Sequence, residues 1–315
     1  MRLSALAWLK EAGILGMNSR NAEYIMVYNR RSAYPTVDDK VITKRLAAEY
    51  GIPTPELFHV VESHGDLKGL EKALGGRRRF ALKPARGSGG SGIVLVKDRV
   101  TEGFVTQNGL VISLSDFAYH ISDILAGIHS LESLEDRAIM EALVDPDPVF
   151  AAVTHQGVPD IRIVAYRGVP AMAMVRLPTK ASDGKANIHR GALGAGVDMG
   201  KGTTLSAVHK SNIVECHPDT GNPIAGIAIP GWREMLLVAS KGIDMTGLGY
   251  LGVDLVIDRT DGALMLEMNA RPGLQIQMAN RTGLKKRFEI IDRAPARIFS
   301  SPEARVEWAV KAFSG

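Results

Sequence analysis

One stretch near the end of the chain constrains the fold most, because it predicts a β-hairpin with oxygen donors on one face. Two β-prone runs lie within residues 252–269, and Asp261-Gly262 between them is a turn signal. Pairing about this turn sets Asp254 nearly opposite Glu267. The Cβ atoms of directly opposed residues lie about 5 Å apart, so both carboxylates could share one cation.

The alternation of side chains along a strand defines the rest of this face. Asn269 falls on the same face as Glu267, and the opposite face carries the expected core residues Leu264, Leu266 and Met268. Facing carboxylates repel unless a proton or a metal lies between them, and hard oxygen donors suit Mg²⁺ or Mn²⁺. The hairpin alone leaves two interpretations open, a magnesium site and a solvated acidic surface.

Composition excludes several classes of protein. The 315 residues, 45% of them hydrophobic, can form a substantial core. The only cysteine, Cys216, excludes an internal disulfide framework and favours a reducing, cytoplasmic location. No stretch is long and apolar enough to span a membrane. The net charge of +4 is small, and the basic clusters lack interleaved aromatic residues, so neither nucleic acid nor membrane is an expected partner.

The sequence pattern predicts three parts. A short helical cap covers residues 1–37, with a break at Ala33-Tyr34-Pro35. A small lobe follows at 38–145, and a large lobe at 146–315 begins in the stiff linker Asp145-Pro-Asp-Pro148. Within the small lobe we predict helices over 38–50, 67–74 and 116–131, and strands over 57–61, 80–83, 92–96 and 138–144. The large lobe alternates strands with loops and ends in a helix.

A glycine-rich loop joins two strands of the small lobe. Its glycines at 87, 89 and 92 match G-x-G-x-x-G, which indicates a dinucleotide fold only if a helix follows. A β-branched strand follows instead, and the P-loop motif is absent, so a flap over phosphates is the remaining nucleotide interpretation. Lys83 leads into this flap and would add a positive charge at a triphosphate. A flexible hairpin with a surface lysine is the alternative.

Several motifs in chain order resemble the ATP-grasp superfamily. They are Asp39-Lys40 opening a helix, Lys83-Pro84 before the glycine flap, Glu141-Ala-Leu-Val144 at a strand end, Asp254, and Glu267-Met-Asn269. Asp160-Ile-Arg162, Asn187-Ile-His-Arg-Gly191 and the run from Glu267 to Gly273 resemble the RimK-type glutamate ligases. The resemblance covers about residues 36 to 280. It implies an α+β fold in which two lobes grip ATP between antiparallel sheets.

The resemblance also implies the nucleotide contacts. Lys40 and Lys83 would meet the phosphates beneath the flap residues Gly87, Ser88, Gly89, Gly90, Ser91 and Gly92. The hinge Glu141, Ala142, Leu143 and Val144 would hold the adenine. Asp160 would meet the ribose, with Asp147 as the alternative. Lys185 and Asn187 would lie on the phosphate side.

The metal site and the chemistry follow from the same resemblance. Asp254, Glu267 and Asn269 would bind two Mg²⁺ ions, with Mn²⁺ as a substitute and Glu267 as the bridge. A carboxylate would attack the γ-phosphate, and an amine would capture the acyl phosphate to form an amide and ADP. The protein would mainly position groups and neutralise charge. The arginine candidates for holding the carboxylate or acyl phosphate are Arg162, Arg176, Arg190 and Arg271.

Departures from the family leave the substrate open. Only about 35 residues precede Lys40, where the glutamate ligases carry a full α/β domain. Either a homo-oligomer or a partner subunit would supply the missing part of the acceptor wall, or the site would be unusually open to a large partner. The expected partners are ATP, an amino-acid donor and a peptide, protein or small-molecule carboxylate. Gln275 and Gln277 would lie at strand spacing beside a substrate or on a solvent edge, and His189 would be an acid–base group or a structural histidine. The alternative function is a kinase-like module that forms no amide.

Overall fold

A computed structural model describes residue 9 and residues 11–87, 89–130 and 133–314. By their contacts these residues form two compact units. The small unit comprises Asp38–Ala48 and Thr54–Asp145. The large unit comprises Glu49–Pro53 and the described parts of Met1–Val37 and Pro146–Gly315. The described residues before 38 therefore belong to the large unit by their contacts and do not form a compact unit of their own.

Both units contain an antiparallel sheet. The strands among the described residues are β1 Leu57–Val61, β2 Phe80–Pro84, β3 Val94–Val100, β4 Gly103–Thr106, β5 Val111–Ile112, β6 Ala138–Glu141, β7 Asp160–Tyr166, β8 Val169–Leu177, β9 Leu193–Asp198, β10 Thr203–His209, β11 Asn212–Val214, β12 Tyr250–Asp258 and β13 Gly262–Asn269. The small-unit sheet has the order β1-β6-β2-β3-β4-β5, and the large-unit sheet has the order β11-β10-β9-β8-β7-β12-β13.

The described helices range from single turns to the 15 residues of Trp232–Thr246. Within the described residues, α1 consists of Met17–Ser19, a π-helical turn Arg20–Ile25 and Met26–Tyr28. The others are α2 Pro35–Asp38, α3 Lys40–Glu49, α4 Leu70–Leu74, α5 Leu114–Leu125, α6 Trp232–Thr246, α7 Ile276–Asn280, α8 Leu284–Asp292 and α9 Pro302–Ala312. Single 3₁₀ turns occur at Arg31–Ala33, His64–Gly69, Pro148–Val153, Lys180–Ser182, Ile188–Arg190 and Ala296–Ser300.

Helix α5 packs against the six-stranded sheet of the small unit. Its apolar residues recur at helical spacing, and Phe117, Ile121 and Ile124 are fully buried. Ser113 begins the helix by accepting a hydrogen bond from the backbone N–H of Asp116 at 3.1 Å. The Phe117 ring lies 4.5 Å from that of Phe104 and contributes to an aromatic core under the sheet.

The N-terminal helical segment is bonded to the seven-stranded sheet. The Asn29 amide donates to the carbonyls of Tyr250 and Ala270 at 2.7 and 2.9 Å, and the Tyr250 N–H donates to Asn29 Oδ1 at 2.9 Å. The Tyr24 ring meets Tyr166 edge-on at 5.4 Å. Buried polar groups need such partners, so Asn29 both satisfies an open strand edge and attaches the segment.

The expected hairpin is present, and Asp254 faces Glu267 as predicted. A β-bulge between Asp254 and Leu255 shifts the register, so Met265 faces Leu255 and Leu266 is the extra residue. Leu266 was expected in the core, but it is only half-buried, while its neighbour Met265 is 1% exposed. A bulge reverses strict alternation over one residue, which the period-2 argument does not anticipate.

Other boundaries differ from the predictions by a few residues. The strand expected from residue 92 begins at Val94, the helix expected to reach 131 ends at Leu125, and the strand expected to reach 144 ends at Glu141. The expected break near residue 34 is instead a 3₁₀ turn followed by α2, with Pro35 at the first helical position. The beginning of the predicted N-terminal helix lies outside the described residues.

The α+β fold class predicted from the sequence is confirmed. None of the helices in the described part of the chain has the length and apolar character that a membrane crossing requires.

Replacing Phe117 by alanine should lower the free energy of unfolding of the small unit by about 3–5 kcal/mol, because a fully buried ring leaves a cavity. Tyr119→Ala is the matched control, since Tyr119 lies on the same helix and is 72% exposed. Urea unfolding followed by circular dichroism measures both. Equal stabilities of the two variants would contradict the position of α5.

Candidate functional site

Four neighbouring strands of the large unit bring most of the predicted metal and arginine residues onto one face. Asp254 on β12 pairs with Arg162 on β7 and with Glu267 on β13. Asp160, two residues before Arg162, pairs with Arg176 on β8. Directly paired residues and residues two apart share a face, so all five side chains project from the same side of the sheet.

These strands support a chain of ion pairs that we call the ion-pair ladder, formed by Arg162, Asp254, Arg176 and Asp160. Arg162 binds Asp254 through two parallel hydrogen bonds, with Nε–Oδ1 at 2.6 Å and Nη2–Oδ2 at 2.5 Å. Arg176 donates to Oδ2 of Asp254 at 2.8 Å and binds both oxygens of Asp160. Both carboxylates are buried, at 2% and 8% exposure, so bidentate pairing offsets much of their desolvation.

The ladder shifts the pKa values of its two carboxylates in opposite directions. Burial alone would raise the pKa of Asp254, but the guanidinium charges of Arg162 and Arg176 outweigh it and hold that pKa well below its usual range. Burial raises the pKa of Asp160 to about 6, because the charge of Arg176 offsets the burial only in part and the nearby charge of Asp254 acts in the same direction as burial. Burial disfavours the charged form of Arg176, but both carboxylates raise its pKa above its ordinary value.

Glu267 and Asn269 complete the predicted metal set. Asn269 donates to Glu267 Oε1 at 3.3 Å, which leaves the amide oxygen of Asn269 and the second oxygen of Glu267 as donors. These hard donors suit Mg²⁺. Both oxygens of Asp254, by contrast, already accept hydrogen bonds from arginine. A cation on Asp254 would therefore share or replace a guanidinium charge.

The remaining predicted residues of the large unit lie in loops. Asn187 accepts a hydrogen bond from the His189 N–H at 3.0 Å and begins the 3₁₀ turn that carries Arg190, which is exposed. Lys185 is also exposed and lies 3.5 Å from the carboxylate of Asp183. Arg271 stacks on the Tyr34 ring at 5.1 Å. Strand β13 ends at Asn269, so Arg271 does not continue the metal face.

Three residues whose roles the sequence left open make hydrogen bonds in the structure. Gln277 was expected on a strand, but it lies in α7 and bonds the backbone of Leu15 and Leu284, which is a structural role. Gln275 precedes that helix and contacts the His189 ring at 2.6 Å. Asp147 accepts a hydrogen bond from the Val149 N–H at 2.8 Å and caps a 3₁₀ turn.

In the small unit, Glu141 is held between two lysines. Lys83 binds one carboxylate oxygen, and Lys44 binds the other at 2.9 Å. Glu141 is 2% exposed. Burial raises the pKa of Glu141, but the two ammonium charges outweigh it and place that pKa below its ordinary value. Burial, as the largest effect, lowers the pKa of Lys44, and the nearby charges of Lys83 and Lys40 act in the same direction.

The glycine loop is bonded at its entrance. Lys40 opens α3 and its ammonium donates to the Gly87 carbonyl at 2.8 Å, while the backbone N–H of Arg86 donates to Asp136 at 2.9 Å. Gly89, Gly90 and Gly92 all have positive φ, as a tight loop requires. Ser88 lies outside the described residues. The expected hinge after Glu141 is non-strand backbone, and the Ala142 N–H donates to the Glu56 carbonyl at 2.8 Å.

Sequence reasoning missed Lys44. It lies one helical turn after Lys40 in α3, so the spacing of the two lysines was the signal that could have identified it. It also missed Arg137, which binds Asp39 at 2.5 Å and supports the start of the same helix. Lys44 and Lys83 share the single carboxylate of Glu141, and the charge of Lys40 is close enough to lower the pKa of Lys44.

Comparison with known proteins agrees with the superfamily that the sequence motifs predicted. The model of a family described as sugar-transfer associated ATP-grasp matches residues 19–293. The superfamily predicted from the motifs is therefore confirmed. A search of the curated proteins found no match.

Several solved structures are similar at low identity. A RimK domain protein from Sphaerobacter thermophilus is 15% identical with a TM-score of 0.45, covering 83% of this chain and 70% of that one. The D-cycloserine synthetase DcsG is 16% identical with a TM-score of 0.45, covering 82% and 71%. The ATP-grasp ligase PsnB, solved with a minimal precursor, is 12% identical with a TM-score of 0.42, covering 85% and 64%. The chain thus spans less than two thirds of PsnB.

Replacing Glu141 by glutamine should lower the free energy of unfolding by about 3 kcal/mol at pH 7, because two buried ammonium groups lose their counter-charge. The folded pKa of Glu141 is depressed, so its contribution is complete above the unfolded pKa and is lost as the pH falls through the folded pKa. The advantage of the wild type in urea unfolding should therefore shrink below about pH 4.

Glu71→Gln provides the control for this prediction, since Glu71 pairs with Arg99 at the surface of the same unit. It should leave stability unchanged at both pH values. A Glu141→Gln protein as stable as the wild type at pH 7 would contradict the buried arrangement.

Proposed function

Since the chain belongs to the sugar-transfer associated ATP-grasp family, we propose that it is an ATP- and Mg²⁺-dependent ligase that joins a carboxylate to an amine. The observation that carries this proposal is the contrast between two local clusters, one rich in lysine in the small unit and one rich in carboxylates in the large unit. In the small unit Lys44 and Lys83 share the carboxylate of Glu141, and the charge of Lys40 is close enough to lower the pKa of Lys44, which suits a polyanion. In the large unit three carboxylates face two arginines, which suits a divalent cation.

The small unit would bind the nucleotide. Lys83 and Lys44 now neutralise Glu141, and a triphosphate would draw one of these ammonium groups away as a stronger partner. Lys40 donates to the Gly87 carbonyl at the entrance of the glycine loop. Its ammonium would therefore contact the phosphate oxygens that this loop covers. Backbone N–H groups of Gly89, Gly90 and Gly92 would supply further donors without interference from a Cβ. Leu143 and Val144 would contact the adenine.

The large unit would hold the metal. Glu267 and Asn269 offer free oxygen donors, and Asp254 would join them by exchanging a guanidinium for Mg²⁺. When bound, Mg²⁺ would neutralise negative charge on the transferring phosphoryl group. Arg162 and Arg176, bound to these carboxylates, would position the metal ligands and reach phosphate oxygens once released.

The exposed arginines would bind the substrate. Arg190 extends from a short 3₁₀ turn, and Arg271 stacks on Tyr34; both side chains are exposed. A guanidinium fork holds a carboxylate through two parallel bonds. We assign Arg190 and Arg271 to the acyl substrate, with Lys185 and Asn187 on the phosphate side and Asp160 nearest the ribose.

The reaction divides into two displacements. An oxygen of the substrate carboxylate bonds to the γ-phosphorus, and ADP leaves. The amine nitrogen then bonds to the acyl carbon, inorganic phosphate leaves, and the amine proton passes to solvent. The amine would come from glutamate or another amino acid, and the carboxylate from a peptide, protein or small molecule. Because the family is described as sugar-transfer associated, we also include sugars that carry an amine or a carboxylate among the substrates to be tested.

Glu267→Ala should lower ADP formation by about 100-fold or more, because the metal would lose a carboxylate ligand. The matched control is Asp261→Asn, which alters an exposed carboxylate at the turn of the same hairpin. The wild type and the control should release ADP with Mg²⁺ and pools of amino acids, peptides, amino sugars and sugar acids. Mass spectrometry should then find an amide.

Two results would overturn this proposal. One is ADP release from the wild type that never exceeds the Glu267→Ala background across the pools. The other is a stable phosphorylated product without an amide, which would identify a kinase. Melting curves give an independent measure, since ATP with Mg²⁺ should stabilise the wild type and the Asp261→Asn protein.

Arg190→Ala should lower kcat/KM for the carboxylate substrate by about 100-fold while the KM for ATP stays unchanged, because one charge-assisted fork is lost. Arg293→Ala, at an exposed position after α8, is the control. Steady-state kinetics with each substrate varied in turn separates the two effects. A change confined to the KM for ATP would contradict the assignment.

A further inference from the structure

A cluster of metal-binding side chains lies in the small unit beside the glycine loop. His120, Asp123 and His129 each offer one donor atom, and these atoms all lie within 4.8 Å of one another. Among the described residues they are the only such group of three histidine, cysteine, aspartate or glutamate side chains. None of the three enters the proposed ligase chemistry.

Local structure brings these residues together. His120 and Asp123 lie three residues apart in α5 and therefore project from adjacent positions on one helix face. His129 follows in the turn after the end of the helix, and its ring lies 5.2 Å from that of His120. The carboxylate of Asp123 is exposed, so its side chain is free to rotate toward the rings.

The glycine loop orients both imidazole rings. His120 Nε2 lies 2.9 Å from the Gly92 carbonyl, and His129 Nδ1 lies 3.1 Å from Ser91 Oγ. A carbonyl can only accept, so Nε2 of His120 carries the proton and leaves Nδ1 as the basic nitrogen. In the tautomer in which Nδ1–H of His129 donates to Ser91 Oγ, Nε2 of His129 is unprotonated and can bind a ligand. Metal-binding histidines are oriented in this way by partners of their other ring nitrogen.

Gly92 is required at this contact for two reasons. Its φ is +71°, and a Cβ would come within 2.6 Å of the His129 ring. The loop backbone therefore lies directly against His129. The loop cannot move away without breaking the hydrogen bond between Ser91 and His129 and the one between His120 and the Gly92 carbonyl. A ligand that fixes the rings would fix this end of the loop as well.

We propose that His120, Asp123 and His129 bind a divalent transition-metal ion of the zinc type, which fastens the glycine loop to α5. Two imidazole nitrogens and a carboxylate oxygen form a donor set typical of zinc with an open fourth position. Tetrahedral zinc needs donors about 3.3 Å apart, so the side chains must close by about 1.5 Å or less. The exposed Asp123 allows this adjustment. The inference does not depend on the ligase activity.

Zinc titration of the whole protein, followed by calorimetry in millimolar Mg²⁺, tests the site. The wild type should bind one zinc ion, and Asp123→Asn and His129→Ala should each weaken binding by about 100-fold. His64→Ala removes an exposed histidine elsewhere in the same unit and should bind zinc like the wild type. Circular dichroism without metal confirms that each variant is folded, and Asp123→Asn retains the shape of the side chain.

The effect on the loop has its own measurement. Trypsin can cut after Arg86, whose side chain is 43% exposed at the start of the glycine loop. Zinc should slow this cleavage in the wild type and not in Asp123→Asn. Unchanged zinc affinity in both ligand variants would overturn the site, as would loss of zinc binding in Glu267→Ala with retention in Asp123→Asn. Zinc binding without any protection at Arg86 would overturn the fastening role.

Discussion

The ion-pair ladder of Arg162, Asp254, Arg176 and Asp160 is the interaction on which the functional face of the large unit depends. It crosses three adjacent strands, β8, β7 and β12, and places two carboxylates where water is scarce. Such groups are costly to bury alone, and bidentate arginines make the arrangement stable. The two arginine and two aspartate charges of the ladder cancel one another. Glu267, which lies beside the ladder, therefore gives this face a negative charge.

In the small unit the charges are arranged the other way round, with one carboxylate between two cations. One carboxylate, Glu141, holds Lys83 and Lys44, and Lys40 is close enough to affect the pKa of Lys44. Each unit thus stores ionic groups in internal pairs that a charged ligand can rearrange. Exchange of one partner for a stronger one requires little movement of the backbone, which is why preorganised ion pairs suit sites that bind phosphates and metals. The histidine cluster at the glycine loop is a separate feature with nitrogen donors.

Much of the fold could be predicted from local patterns. The hairpin register of Asp254 and Glu267 followed from a turn signal and strand alternation, and the helix before Leu125 followed from apolar spacing. The β-bulge at Leu266 could not be predicted, because a bulge depends on how neighbouring strands close around it. Gln277 was predicted on a strand but lies in a helix, where its side chain is held by the backbone of Leu15. Leu15 is 262 residues away in the chain, so no local pattern reports this contact.

The sequence by itself determined the family, because short motifs occur in order along the chain. It also determined the antiparallel hairpin and its oxygen donors, because those residues lie close together in the chain. Only the tertiary structure decided which charges are paired. Arg162 and Arg176 meet Asp254 across 92 and 78 residues, and Lys83 meets Glu141 across 58. Strand order sets these contacts, and strand order is a property of the whole sheet. The sequence therefore identifies many of the charged groups, whereas the fold determines which of them are paired.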